Sequence, residues 1–268
     1  MTATSALPSN SAFADERQME IARVVDAEGR ARVTELAARF GVSAVTIRKD
    51  LDALAEGDRV IRTHGGAIAS RVSRGDLSFE VRDRLQREEK AAIGALAASR
   101  VSNGESIIID ASTTGVYLAR ELLRQEAWHG LTVVTNGLRA AIELAGRPGI
   151  TVLLMGGRVR SGALSVVGQL GDAVFDRVNV QKAFVSAAGF TVEEGLTETL
   201  EEEAQIKRAM VAAAREVYGL IDHSKWGRVA SATFCGVDDL TQVLTDDAAP
   251  EDMVDSLRSM DIEVTQHG

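Results

Sequence analysis

Cysteine, amino-terminal charge and long apolar runs are the features that this sequence has little of. Cys235 is its only cysteine, which excludes a disulfide framework, suits a reducing cytosol and is expected to be an inert buried thiol. No apolar run approaches the length that spans a bilayer. Residues 1–12 carry no charge, and they have neither the basic nor the apolar segment of a signal peptide. We therefore expect a cytoplasmic protein, not bound to a membrane, whose residues 1–12 are a flexible tail.

Acidic residues are in excess, but they are unevenly distributed. The 268 residues carry a formal net charge of −9. Residues 30–71 have a net charge of +3, whereas residues 72–268 hold the whole acidic excess of the chain. A local positive field on an acidic protein is compatible with binding to nucleic acid at that one place. Such a protein would depend on specific contacts and on oligomerisation more than on its total charge.

Two short helical patterns occupy the positively charged region. The first, Val33–Phe40, is expected to be N-capped by Thr34 and to end at Gly41, which supplies a positive φ. Ser43 is expected to cap the second, Ala44–Glu56. That second helix has an apolar side, which must face a core, and a polar side. Two helices joined by a Gly-containing turn predict a helix-turn-helix, whose second helix can lie in a DNA major groove.

A β-hairpin pattern follows the second helix directly and is typical of a wing. Residues 59–68 form two β-prone runs around a Gly-Gly turn. Side chains of the wing and of the polar side of the second helix would contact phosphates and base edges. The predicted DNA-binding residues are Ser43, Val45, Thr46, Arg48, Lys49, Arg59, Arg62 and His64. The alternative is a helical hairpin that does not bind DNA.

The pattern divides the chain into two predicted domains. A first helix over Asp15–Glu28 would complete a winged helix-turn-helix domain spanning residues 13–70. Residues 71–78 contain Ser, Arg and Gly and are the predicted linker. A long helix over Phe79–Arg100 would open the second domain, which spans residues 79–268.

The second domain alternates short apolar strands with helices. Continuous apolar runs of this kind are expected of parallel strands that are buried on both faces. The predicted strands are Ser106–Asp110, Leu131–Thr135, Ile150–Met155, Ala183–Ser186 and Val217–Ile221. Alternation with helices predicts an α/β fold built from βαβ units.

Polar residues and glycines follow several of these strands, at the edge of the sheet where α/β proteins bind ligands. Hydroxyl groups and free N–H groups directly before a helix suit a phosphate. The segments concerned are Asp110–Gly115, Thr135–Gly137, Gly156–Arg158 and Asp222–Trp226. Taken singly, each segment also fits an ordinary helix cap, turn or solvated loop. The acidic run is expected to cap and solvate the helix that carries Lys207, and it lacks the spacing of a metal site; it comprises Glu193, Glu194, Glu198 and residues 201–203.

Both halves of the sequence resemble DeoR-family bacterial transcriptional regulators. The amino-terminal resemblance is carried by Arg17, Ile21, Val25, Ser43–Leu51 and Arg62–Ala67, and it runs from Arg17 to Leu51 without an insertion. The carboxyl-terminal resemblance is carried by Asp110–Thr114, Thr135–Asn136, Gly156–Gly157, Gly195–Thr197, Lys207 and Asp222–Lys225. Ser112 stands where the family's phosphate loop generally has glycine.

The resemblance implies that the second domain senses a phosphorylated sugar, in a fold shared with ribose-5-phosphate isomerase. The effector-binding residues expected from the strand ends and the resemblance are Asp110, Ser112, Thr113, Thr114, Asn136, Gly156, Gly157, Lys207, Asp222 and Lys225. We expect a regulator that binds double-stranded operator DNA, most simply a repressor of a sugar-catabolic operon, as a homodimer or homotetramer. No catalytic residue, metal or cofactor is expected.

Two alternatives stand beside this interpretation. The first is a sugar-phosphate isomerase, which needs a base, usually a carboxylate, to remove a proton next to a carbonyl. Isomerases of that fold resemble one another in an Asp-Gly-Ala-Asp-Glu run, and the corresponding stretch here, Ser186–Gly189, contains no carboxylate. The second is a DNA-binding protein whose carboxyl-terminal domain only oligomerises.

Overall fold

The structure is a computed structural model that describes residues 10–56, 59–69, 77–125, 127–168, 170–171, 174–175 and 177–267. The chain divides into two compact units, Met1–Ser73 and Arg74–Gly268. Residues 1–9 of the predicted tail and residues 71–76 of the predicted linker lie outside the described residues. Within the described ranges, no helix is both long enough and apolar enough to cross a membrane.

The amino-terminal unit is a winged helix-turn-helix. Its elements are α1 (Asn10–Glu28), β1 (Arg30–Arg32), α2 (Val33–Phe40), α3 (Ala44–Glu56), β2 (Val60–Thr63) and β3 (Gly66–Ala69). The strands form one antiparallel sheet in the order β1-β3-β2. Ile21 and Val25 of α1 pack with Leu36 of α2 and with Ile47 and Leu51 of α3 in a single core. The predicted bounds of α2 and α3 are confirmed, because each helix carries its own apolar face.

Two parts of this unit differ from the sequence prediction. α1 begins at Asn10 rather than Asp15, so residues 10–12, predicted to be part of a tail, are helical. The sequence pattern does not predict β1, which has three residues and pairs with β3 far along the chain. A strand this short has too few residues to show a period of two.

Of the two predicted N-caps of the helix-turn-helix, one is wrong and one is confirmed. Arg32, not Thr34, precedes α2 in an extended conformation, and its N–H donates to Glu35 Oε2 at 3.0 Å. The prediction of Thr34 as the N-cap is wrong, because α2 begins at Val33 and Thr34 lies inside its first turn. Ser43 caps α3 as predicted, since its Oγ accepts from the N–H of Thr46 at 3.1 Å.

The carboxyl-terminal unit is an α/β domain. Its elements are α4 (Phe79–Arg84), α5 (Arg87–Ala98), β4 (Ser106–Ile109), α6 (Thr113–Arg124), β5 (Leu131–Thr135), α7 (Leu138–Leu144), β6 (Ile150–Leu154), β7 (Arg158–Arg160), β8 (Ser165–Val167), β9 (Val180–Val185), β10 (Gly189–Thr191), β11 (Gly195–Glu198), α8 (Glu201–Ala213), β12 (Ala214–Leu220), β13 (Ala232–Cys235), β14 (Gln242–Asp246), α9 (Glu251–Ser259) and β15 (Glu263–His267).

A seven-stranded parallel sheet forms the centre of this domain. The order of its strands is β15-β14-β12-β9-β4-β5-β6, and every neighbouring pair is parallel. The five predicted strands are all present, while β14 and β15 are additions that the sequence pattern does not predict. Strands β7 and β8 form a separate hairpin, and β10, β11 and β13 form a small antiparallel sheet.

Both faces of the central sheet are covered. On β4, Ile108 belongs to one apolar cluster, whereas Ile107 and Ile109 belong to another on the opposite face. This arrangement explains why β4 reads as a continuous apolar run. Cys235 is buried in the first cluster, as predicted, and burial raises the pKa of its thiol to about 12.

The predicted long helix over Phe79–Arg100 is interrupted. It forms two helices, α4 and α5, because the backbone of Gln86 adopts a left-handed conformation with φ 45°. Lys90 on α5 is buried, and its Nζ donates to the carbonyl oxygens of Arg82 and Leu85 at 2.5 Å. α4, which ends at Arg84, supplies Arg82 to the lining of a pocket in this domain.

Candidate DNA-binding surface and effector pocket

The outward side of α3 carries the predicted DNA-reading side chains. Val45, Arg48 and Lys49 are exposed, and Thr46 is half-buried beside the capping Ser43. Val45 is 59% exposed although it is apolar. An apolar side chain held outward next to two cations fits a surface that meets a thymine methyl group and phosphates.

A buried ion pair holds this helix against α1. Asp50 is 3% exposed, and both of its carboxylate oxygens accept from Arg17, at 2.6 and 3.0 Å. Gln18 adds a third hydrogen bond at 3.2 Å. Because a buried carboxylate is costly unless it is paired, the Arg17–Asp50 pair fixes the face that α3 turns outward. The sequence resemblance included Arg17 but gave no reason for it.

The predicted wing residues differ in their surroundings. Arg59 and His64 are exposed, and His64 lies in the turn between β2 and β3. Arg62 instead donates to Asp52 Oδ1 and to the carbonyl oxygen of Gly66, both at 2.7 Å. Arg62 thus ties the wing to α3, and a phosphate would have to compete with these two acceptors.

A polar pocket lies beyond the carboxyl end of β4 in the α/β domain. Its empty volume is about 580 Å³, part of which is open solvent. Five predicted effector residues line it, namely Ser112, Thr113, Thr114, Lys207 and Lys225. The other five are not among its lining residues, namely Asp110, Asn136, Gly156, Gly157 and Asp222.

The loop before α6 is held by its own side chains, and Ser112 is the N-cap of that helix. Asp110 Oδ1 accepts from the N–H of Ser112 at 3.1 Å, and Ser112 Oγ accepts from the N–H of Gly115 at 2.8 Å. Thr113 and Thr114 are the first residues of the helix, where backbone N–H groups point outward. Ser112 has φ −74°, so its replacement of the family's usual glycine requires no left-handed backbone.

Lys207 is a buried structural cation in the wall of the pocket. Its Nζ lies 2.8 Å from Asp110 Oδ2 and 2.6 Å from Glu198 Oε1, and it donates to Ser186 O at 2.6 Å. Burial alone would lower the pKa of Lys207, but the two carboxylates outweigh it and raise the pKa above its usual range. With its three donors occupied, Lys207 mainly neutralises Asp110 and Glu198.

The remaining predicted residues position the elements around the pocket. Asp222 is fully buried and accepts from both the N–H and the hydroxyl group of Ser224, in the turn that carries Lys225 to the pocket. Asn136 Nδ2 donates to Val166 O at 3.1 Å, which secures the β7–β8 hairpin. Gly157 has φ +144°, and a Cβ there would approach Val167 O to 2.5 Å, so this glycine permits close packing of the same hairpin.

Four charged residues that the sequence analysis did not select also line the pocket: Arg82, Arg160, Glu198 and Glu203. Two of them belong to the acidic run that was expected only to cap and solvate a helix. That expectation holds for Glu201 and Glu202, which pair with Arg208 and Arg158 on the surface. It is wrong for Glu203, which is buried on the same face of α8 as Lys207. The four-residue spacing of Glu203 and Lys207 was the available signal.

Arg82 is the cation that no sequence signal identified. It reaches the pocket from α4, and burial lowers the pKa of its guanidinium, while Glu198 and Glu203 act in the opposite direction. Its Nε is buried, and no described residue accepts a hydrogen bond from it. The pocket therefore presents N–H donors, hydroxyl groups and a guanidinium, which suit an anion. No group of three His, Cys, Asp or Glu side chains among the described residues could hold a metal ion.

A winged helix-turn-helix with an exposed basic helix, followed by an α/β domain with a polar pocket, defines a two-domain DNA-binding regulator. Residues 17–71 match the DeoR-like helix-turn-helix domain, and residues 85–247 match the DeoR C terminal sensor domain. The chain belongs to the DeoR family of transcriptional regulators.

Curated relatives match almost the whole chain. The sequence is 37% identical to the HTH-type transcriptional regulator GolR of Listeria innocua, over 87% of this chain and 91% of that protein. It is 32% identical to the HTH-type transcriptional repressor GlcR of Bacillus subtilis, over 87% and 89%. It is 30% identical to the glycerol-3-phosphate regulon repressor of Escherichia coli, over 93% and 97%. These relatives are transcriptional regulators.

Solved structures show more distant likenesses. Ribose 5-phosphate isomerase A from Neisseria gonorrhoeae matches with a TM-score of 0.39 and 15% identity, over 54% of each chain. The full-length sorbitol operon regulator SorC from Klebsiella pneumoniae matches with a TM-score of 0.35 and 14% identity, over 78% of this chain and 89% of that one. Likeness at this level does not bear on function.

Proposed function

We propose that this regulator represses a sugar-catabolic operon in the cytoplasm and that a phosphorylated sugar in the α/β pocket changes its affinity for the operator. The observation that carries the proposal is the lining of the pocket, in which the guanidinium-bearing Arg82 lies together with Thr113 and Thr114 at the N-terminus of α6. A helix N-terminus and a guanidinium both bind phosphate groups well.

The direction of the donors at this end of the pocket supports a phosphate. Asp110 and Glu198 exceed the single charge of Lys207 by one, while Arg160 is paired with Glu203. Arg82, on which Glu198, Glu203 and Asp110 act, offsets that excess. A phosphate would add charge-assisted hydrogen bonds from Arg82 and from the N–H groups before α6. Lys225 would contribute an ammonium group from the turn after β12.

The relatives support the biological part of the proposal. Two of them are named repressors, and the name of one refers to a glycerol-3-phosphate regulon. A single winged helix has a small interface with DNA, so we expect a homodimer or homotetramer on repeated half-sites. Residues 1–71 alone should accordingly bind an operator far more weakly than the full chain does.

The test combines ligand binding with operator binding in the full chain. Glycerol 3-phosphate, ribose 5-phosphate, glucose 6-phosphate and fructose 6-phosphate are each titrated, with inorganic phosphate as the control. A true effector raises the melting temperature, because it binds the folded state, and changes the operator Kd by about 5- to 150-fold. Operator DNA must then change the affinity for the effector by the same factor.

Arg82→Gln provides the site-specific arm of this test, and Arg84→Gln on the same helix is the matched control. Arg84 is exposed and does not line the pocket. We expect Arg82→Gln to lose most of the thermal shift and of the operator response, while ligand-free operator binding is retained. If no phosphate compound shifts the melting temperature, the proposal fails, and a domain that only oligomerises is the alternative that remains.

An isomerase activity is the second candidate, because the pocket does contain carboxylates. Glu198 and Glu203 line it, although the corresponding stretch Ser186–Gly189 has none. Each of the two is bound to a cation, Lys207 or Arg160, which makes it a weaker base for removing a proton from carbon. We therefore expect purified protein to form no ribulose 5-phosphate from ribose 5-phosphate.

A further inference from the structure

Glu203 is an anion in the wall of a pocket that is otherwise suited to an anionic ligand. It is 7% exposed and lies in the first turn of α8. Its Oε1 accepts from Arg160 Nη1 of β7 at 2.5 Å and from the hydroxyl group of Ser165 of β8. The guanidinium and the helix N-terminus both stabilise negative charge at this position.

The second carboxylate oxygen of Glu203 is available to a ligand. Both described hydrogen bonds go to Oε1, and no described residue donates to Oε2. Glu203 nevertheless lines the pocket. An ionised carboxylate is an acceptor only, so the group that meets Oε2 must be an O–H or N–H donor.

The pocket therefore has one end that suits an anionic group of a ligand and another end that suits a hydrogen-bond donor. Ser112, Thr113 and Thr114 present N–H groups and hydroxyl groups, and Arg82 adds a cation. The part formed by α8 and the β7–β8 hairpin presents Glu203, whose partner Arg160 is already engaged. A second anionic group placed against Glu203 would be repelled, and in a partly desolvated site such repulsion is poorly screened.

We propose that Glu203 is a specificity-determining residue that restricts the effector to sugars with one anionic group and neutral hydroxyl groups at the other end. The inference rests on the proposed function, since it concerns the ligand of the same pocket. A hydroxyl group of the sugar donates to Oε2, whereas a terminal carboxylate or a second phosphate is rejected. Ser165 and Arg160 hold the carboxylate in place and are positioning residues.

Matched pairs of probes test this directly in the full chain. Glycerol 3-phosphate and 3-phosphoglycerate differ by a CH₂OH group in place of a carboxylate, and fructose 6-phosphate and fructose 1,6-bisphosphate differ by one phosphate. In each pair whose member with one anionic group binds by calorimetry, we expect the member with two anionic groups to bind at least about tenfold more weakly because of like-charge repulsion. This comparison requires no variant and is unaffected by folding defects.

Glu203→Gln assigns the discrimination to one residue, and Glu202→Gln is its control. Glu202 is the preceding residue of α8, is exposed and pairs with Arg158. Both variants remove one negative charge from the same helical turn, but only Glu203 lines the pocket. We expect Glu203→Gln to bring the two affinities within about threefold, mainly through tighter binding of the doubly anionic probe. Glu202→Gln should keep the original ratio.

The possible results separate the inference from the proposed function. If neither these probes nor ribose 5-phosphate or glucose 6-phosphate binds, the proposed function fails and the inference fails with it. If only one of the latter two binds, ribose 1,5-bisphosphate or glucose 1,6-bisphosphate is its matched probe in the same comparison. If both members of a pair bind equally to the unmodified chain, the function stands and the inference is overturned. If the ratio is unchanged in a folded Glu203→Gln protein, or changes equally in Glu202→Gln, discrimination exists but does not come from Glu203.

Discussion

The two units of this regulator use charged side chains in opposite ways. On α3, Arg48 and Lys49 are exposed and turned away from the core. In the α/β domain, Lys207 and Asp110 are buried within 2.8 Å of each other. The first arrangement suits contact with a large partner such as DNA, while the second forms the wall of a pocket. We therefore expect substitutions on α3 to change binding and substitutions in the pocket wall to change stability first.

The largest expected effect is that of Lys207→Met. It would leave Asp110 and Glu198 buried without their cation, which should cost about 3–5 kcal/mol of the free energy of unfolding of the α/β domain. Denaturant unfolding monitored by the tryptophans, both of which lie in that domain, measures the effect. Arg208→Met is the control, because the Arg208–Glu201 pair is exposed and should contribute at most about 1 kcal/mol. Equal effects would contradict the structural role of Lys207.

A somewhat smaller effect is expected at the Arg17–Asp50 pair, because this is a buried ion pair in the unit whose α3 cations are exposed. Arg17→Met leaves Asp50 buried without its charge partner, at a cost of about 2–3 kcal/mol, since Arg17 is itself partly exposed. Thermal unfolding of the amino-terminal unit by circular dichroism should show the loss. Arg23→Met, which removes an exposed pair with Glu20, should leave the transition in place. If Arg17→Met and Arg23→Met unfold at the same temperature, the Arg17–Asp50 pair does not hold α3 in place.

Arg48→Ala should change DNA binding without changing stability. If Arg48 reads a guanine, the operator affinity falls by about 1–3 kcal/mol and specificity relaxes at that base pair. If it contacts only phosphate, binding weakens for all sequences and the salt slope falls by about one. Fluorescence anisotropy at several salt concentrations distinguishes these outcomes. Unchanged operator affinity in a folded variant would remove α3 from the interface.

The last expected effect is gradual and concerns the pH dependence of stability at the buried Lys90. Burial lowers the pKa of Lys90 from 10.5 to about 7, with Lys225 and Arg82 adding to the effect and Asp222 opposing it. The unfolded chain then binds this proton between pH 7 and 10.5 while the folded chain does not, so the stability contributed by Lys90 rises with pH across that window.

Unfolding free energies of the unmodified chain and of Lys90→Met test this dependence. The unfolding free energy of the unmodified chain, relative to that of Lys90→Met, should increase by about 1 kcal/mol per pH unit between pH 7 and 10. If the unfolding free energies of the two proteins change with pH in the same way, Lys90 stays charged in the folded state, held by the carbonyl groups of Arg82 and Leu85.

Elements with a complete local signal were predictable. α2, α3 and β5 have the predicted bounds, because each shows its own period or apolar run and a glycine or polar residue at its ends. Elements that depend on distant partners were not. β1 pairs with the wing, β15 extends the sheet through β14, and the break after α4 follows from the conformation of Gln86.

The residues of the effector pocket also fall into a predictable group and an unpredictable group. Ser112, Thr113, Thr114 and Lys225 could be found because they follow strands, and parallel strands end at a common edge. Gly156 and Gly157 also follow a strand, yet they are absent from the pocket lining, since β6 is the outermost strand of the sheet. The position of a strand within a sheet is not encoded in its local pattern.

The sequence by itself determined the family, the winged helix-turn-helix, the parallel sheet and the loop that precedes α6, since each is indicated by a pattern of residues that are neighbours along the chain. Only the tertiary structure decided which charges meet. It brought Arg82 of α4, Arg160 of β7 and Glu203 of α8 to one pocket, and it turned Arg62 towards Asp52. Periodicity specifies which face of an element is buried, but it does not specify the partner against which that face is buried.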